Sequence, residues 1–183
     1  MIQDFMLPFL AVGLAELGDK TQISLLLLSS KVKSHPRLLL GVMLAFLVVD
    51  GVAVLAGSWI VGVVPTSFVK VLSGIVFLAF GVLILRGGHE AGEGRLYSKS
   101  PLVSGFALVF MAEWGDKTQV ASGLFAVEYN PLVVLLGAMA ALGVLSALSI
   151  YLGKVLSSKL DRKLVAKIAG AVFVLMGASF ILL

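Results

Sequence analysis

The sequence predicts an all-α polytopic membrane protein of six transmembrane helices, arranged as two inverted-topology three-helix repeats. Three observations carry that expectation: an apolar excess, six apolar stretches of spanning length, and a duplicated acidic motif. Of the 183 residues, 60% are hydrophobic and 13% charged, with a mean hydropathy of +1.10. Soluble domains run about 45–50% apolar and ~25% charged. A soluble globule of this length could not bury so much apolar surface, whereas a bilayer accepts it.

The six stretches are Phe5–Leu28, Leu38–Val61, Val69–Leu85, Leu102–Val127, Leu132–Leu152 and Val165–Leu183. A spanning helix needs about 17–25 residues, so all six qualify, the third and sixth being the shortest. A transmembrane β-barrel would show short alternating segments instead. The first stretch has no basic leader and carries acidic residues, so it reads as a retained helix rather than a cleaved signal.

Basic residues set the orientation. The first loop holds Lys31, Lys33 and Arg37, and the third holds Arg86, Arg95 and Lys99. The fifth holds Lys154, Lys159, Arg162, Lys163 and Lys167, while the second region has only Lys70 and the fourth has none. Odd loops are therefore expected in the cytoplasm and both termini on the extracytoplasmic side of a multi-pass cell membrane protein. The basic pI of about 9.5 then follows from topology, and no nucleic-acid partner is expected. Trp59, Tyr97, Tyr129 and Tyr151 fall near the expected interfaces.

The glycine-rich, charged segment from Gly87 to Gly94 is the one clear linker. It divides the chain into a first repeat at 1–86, a cytoplasmic linker at 87–100 and a second repeat at 101–183. The halves echo each other. Ala15-Glu16-Leu17-Gly18-Asp19-Lys20-Thr21-Gln22 returns as Ala112-Glu113-Trp114-Gly115-Asp116-Lys117-Thr118-Gln119, with only Leu17 and Trp114 differing. Weaker echoes are Pro36 and Pro131, Gly41 and Gly137, Gly57 and Gly153, Gly74 and Gly170, and Gly81 and Gly177. Three helices per repeat force the second half to insert upside down, as in many secondary transporters.

Read as continuous spans, the first and fourth stretches place Glu16, Asp19 and Lys20, and Glu113, Asp116 and Lys117, near mid-membrane. A charge at the bilayer centre costs at least about 2.5–3.5 kcal/mol on insertion scales. On a helix, the Glu and Asp at i and i+3 and the Lys at i+4 share one side. Gly18 and Gly115 weaken the helix there, allowing close approach or carbonyls turned toward an ion. A shared site would offer four carboxylates, two threonine hydroxyls and two glutamine amides, the hard oxygen donors that calcium and manganese accept. Four carboxylates against two lysines leave a formal charge of −2, matched by one divalent cation. Crowded carboxylates repel one another without metal, so protons and metal compete for the site, the thermodynamic core of antiport. There is no cysteine, and His35 and His89 fall in polar loops, which disfavours zinc or copper. No permanent cofactor is expected, only a transported Mn2+ or Ca2+ bound at the site. The partners are divalent ions, protons and the bilayer, with a homo-oligomer compatible.

The doubled E-x-G-D-K-T motif resembles the Gdt-type family of manganese/calcium–proton exchangers, and the resemblance covers nearly the whole chain. It implies that Glu16, Asp19, Glu113 and Asp116 form the cation site, with Thr21, Thr118, Gln22 and Gln119 as lesser members. It also implies export of manganese or calcium from the cytosol in exchange for protons. Two departures stand out: the central linker is shorter than is common in the family, and Asp50 stands where the internal repeat has Ser146. Asp50 is open between an added proton or cation site and a satisfied hydrogen-bonding role.

Simpler readings stand beside these. Glu16–Lys20 and Glu113–Lys117 could be structural i,i+4 ion pairs, although buried pairs stabilise poorly. Lys20 and Lys117 fit charge balance as well as gating. Trp114 reads as packing, the glycines as helix contacts, and the histidines as solvated. The rival functions are an intramembrane metal-dependent enzyme, against which stands the lack of a serine–histidine pair, a cysteine nucleophile or a membrane-embedded histidine, a divalent cation channel, and a structural subunit.

Overall fold

A computed structural model describes residues 1–61, 65–86, 100–156 and 162–182. Among these residues the structure is all-helical, with eight helices. They are α1 (Ile2–Glu16), α2 (Lys20–Ser29), α3 (His35–Val61), α4 (Thr66–Leu85), α5 (Pro101–Glu113), α6 (Lys117–Glu128), α7 (Pro131–Leu156) and α8 (Arg162–Leu182). The linker expected at 87–100, apart from Ser100, lies outside the described residues. So do His89, Arg95, Tyr97, Lys99 and Lys159.

Eight helices replace six because the first and fourth apolar stretches each break inside the motif. The local chemistry explains the break. Leu17 and Trp114 turn extended after the last helical glutamate. Gly18 and Gly115 then take φ of 81° and 82°, the left-handed conformation that glycine accepts without Cβ strain. Asp19 and Asp116 follow as extended N-cap residues of α2 and α6. The Asp19 carboxylate accepts from the Lys20 N–H at 2.7 Å.

The halves interlock rather than stand side by side. α1 packs on α7, and α5 packs on α3. The two contacts use matching residues: a Cβ at Gly41 would strike the Leu102 carbonyl, and one at Gly137 the Phe5 carbonyl. The expected helix-contact role of these glycines is met. α4 and α8 pack antiparallel, with Gly74 against Gly177 and Gly81 against Gly170. Small residues let helix backbones approach this closely. Phe77 lies in that contact, with ring centroids 5.3 Å from Phe173 and 5.1 Å from Phe125.

By length and composition, His35–Ile60 and Pro131–Leu152 are able to cross a membrane. The outward side chains of α3 include Leu44, Leu47, Val48, Val52 and Leu55, an apolar surface that suits lipid. His35 departs from the expected solvated loop. It opens α3 half-buried, with Nε2 3.1 Å from the Ser29 carbonyl oxygen and its ring edge-on to Tyr151.

Candidate cation site

The two breaks meet: Lys117 after the second reaches Glu16 and Asp19 at the first, and Thr21 after the first reaches Glu113 at the second. Each is closed by the glutamine four residues after its glycine. The Gln22 amide accepts from the Gly18 N–H at 3.1 Å and donates to the Glu16 carbonyl. The Gln119 amide accepts from the Gly115 N–H at 2.6 Å and donates to the Val49 carbonyl of α3 at 3.1 Å. A helix break orphans backbone groups that must find partners when buried. Both glutamine amides therefore serve the backbone here. Their place in the sequence suggested ligands, and the missing signal was the break itself.

The carboxylates divide into two groups. Glu16, Asp19 and Asp116 each bring an oxygen within 4.8 Å of the others. The Lys117 ammonium lies among them, donating to Glu16 Oε1 at 3.1 Å, Asp19 Oδ2 at 2.7 Å and Asp116 Oδ2 at 3.1 Å. Glu113 is held apart. It accepts from the Thr21 and Thr118 hydroxyls, one on each carboxylate oxygen. Glu16 and Glu113 are buried, as are both threonines.

This geometry corrects the single-helix picture. The i, i+3, i+4 arrangement does not exist, because the helix stops between Glu and Asp. Neither Glu16–Lys20 nor Glu113–Lys117 pairs among the described residues. Two of the ion pairs of Lys117 run between the motif copies, to Glu16 and Asp19, and the third goes to Asp116 beside it in its own copy. Lys20 makes no ion pair among the described residues.

Asp50 is buried in α3 and accepts from the Ser122 hydroxyl of α6 at 2.7 Å. Ser122 was missed, yet a signal existed: the repeat puts Leu25 at its equivalent position, as it puts Ser146 opposite Asp50. Two polar departures from the repeat meet in space. Trp114 lies against Phe110, with centroids 4.9 Å apart and the ring planes tilted by 38°, in keeping with a packing role.

A partly buried, hard-oxygen cluster built from two helix breaks points to a membrane protein that handles cations. The chain belongs to the family described as "Divalent cation/proton antiporter GDT1", which it matches over residues 4–92 and 101–182. It is thus a cation-transporting membrane protein and not an enzyme. It is 29% identical over 167 residues to a Vibrio cholerae protein named "Putative manganese exporter", covering 90% of this chain and 84% of that one. It is 28% identical over 199 residues to a GDT1-like protein of Synechocystis, covering 96% and 95%. A rice protein named "GDT1-like protein 1, chloroplastic" is 28% identical over 206 residues, covering 95% of this chain and 60% of that one. No solved structure matches.

Proposed function

We propose that the chain exports manganese, calcium or both from the cytosol in exchange for protons, by alternating access at one site shared between two inverted three-helix repeats. The carrying observation is that Glu16 and Asp19 of one motif copy meet Asp116 of the other. One ion with oxygen bonds of about 2.3–2.6 Å bridges ligands at that separation. Glu113 joins the site as the counterpart of Glu16, released from Thr21 and Thr118 when the halves rearrange. The hydroxyls and amides of Thr21, Thr118, Gln22 and Gln119 hold the ligands and the breaks.

On this reading α1–α2 and α5–α6 are two broken spans, and α3, α4, α7 and α8 complete the six. The antiparallel α4–α8 contact and the interchange of α1–α7 with α5–α3 support inverted repeats. Broken helices meeting at mid-membrane are the usual substrate sites of such transporters. The basic loops support extracytoplasmic termini in a cell membrane. Manganese is supported by the name of the Vibrio relative, and calcium by the all-oxygen donor set. Asp50, a buried carboxylate bonded to the Ser122 hydroxyl, is an added proton or cation site. The transported ion is the only metal this reading needs.

The test is Mn2+ and Ca2+ flux into sealed liposomes holding the pure protein, with and without an imposed pH gradient. The expected result is flux that follows the gradient. Rapid flux indifferent to it would indicate a channel, and none of either ion with folded protein would sink the proposal.

A further inference from the structure

The Lys117 side chain comes from the second motif copy, yet its ammonium donates to one oxygen on each of three carboxylates, two of them in the first copy. Those three side chains are the same three that approach closely enough to hold one metal ion. A lysine that merely balanced charge needed one carboxylate, and Asp116, its neighbour in sequence, was available. Instead its three donor hydrogens are spread over the oxygens a cation would use. Three carboxylates and one ammonium also leave a formal charge of −2, so the cluster still attracts a divalent ion.

We infer that Lys117 is a tethered stand-in for the transported cation, so that a divalent ion binds only by expelling its ammonium from among Glu16, Asp19 and Asp116. This rests on the cation site proposed above and deepens it. The ammonium keeps the three carboxylates together when no ion is bound, and it sets the affinity by competing for them. A site free only part of the time binds more weakly by the inverse of the free fraction. Such competition suits a carrier, which must release its ion as well as capture it. Lys20, without an ion pair among the described residues, shows that the two lysines are not used alike in this conformation.

The experiment titrates detergent-purified protein at one fixed pH with Mn2+ alone, reading free ion from its paramagnetic resonance signal. K117M and K117Q are expected to bind about tenfold tighter than wild type, or more. K117R, which keeps the charge, stays near wild type, and E16Q binds no ion. A purely structural lysine would not produce a gain. Equal or weaker binding by K117M and K117Q, with E16Q still abolishing it, overturns the inference and leaves the site standing. Binding that survives E16Q, or no binding by wild type, overturns the site and the inference together. On wild type itself, Mn2+ must change the reactivity of the Lys117 amine toward an acylating reagent, read by peptide mass spectrometry. Unchanged reactivity in Mn2+-bound protein overturns the inference without any variant.

Discussion

The two motif copies differ in one side chain but not in backbone: Gly18 and Gly115 have φ within a degree of each other. Their surroundings diverge. Glu16 is met by an ammonium, Glu113 by two hydroxyls. Gln22 closes on its own break, whereas Gln119 also ties the break to α3. The first break is half-buried, and the second is exposed at Trp114 and Gly115. Nearly identical sequence in unlike surroundings teaches that the repeat encodes a shared backbone device, and that packing assigns each copy its role. On the proposed alternating-access reading, the two halves would change state by exchanging those roles.

The comparison is broken most severely by removing one glutamate at a time. Glu16→Gln and Glu113→Gln are each expected to cut gradient-driven Mn2+ flux by more than the roughly 10–100-fold typical of changes around a metal site. Near-normal flux in either would show that only one copy works.

Replacing either glycine probes the shared device. Gly18→Ala and Gly115→Ala should each cost about 1–2 kcal/mol, because the left-handed conformation penalises any Cβ. At Gly115 a Cβ meets nothing within 4 Å, so its cost is backbone strain alone. Thermal unfolding in detergent measures both, and a neutral Gly115→Ala would refute the strain argument.

The hydroxyls grade more finely. Thr21→Val removes a short hydrogen bond to a buried carboxylate, a loss of about 1.5–3 kcal/mol. Thr118→Val removes one at 3.3 Å and should cost less, in stability and in flux. The opposite order would mean that Glu113 is held mainly from its own copy.

Trp114→Leu, which makes the copies identical, should have the smallest effect. It removes an aromatic contact worth about 0.5–1.5 kcal/mol at an exposed position. A large loss of flux with unchanged stability would instead make Trp114 part of the transport path.

Much of this was legible in the sequence. The apolar runs marked the helices because burial in lipid is written in composition. The doubled motif marked the residues that meet, because charges in such runs need a reason. The break was half legible. Gly18 signalled a weakened helix, but only the positive φ shows that the helix stops and that Glu16 and Asp19 leave a common face. The glutamine roles were hidden, since an amide's partner depends on which backbone groups the break orphans. The direction of Lys117 was hidden too: i,i+4 spacing pointed to its own copy, while the fold brought the other copy nearer. Asp50 and Ser122 were individually visible as departures from the repeat, and only packing shows that they form a pair.

The central claim is that the two copies build one cation site. The most direct test counts Mn2+ bound per chain at equilibrium in wild type, Glu16→Gln and Asp116→Asn. One ion per wild-type chain, lost with either substitution, is the expected result. Two ions per chain, with each substitution removing one, would contradict it.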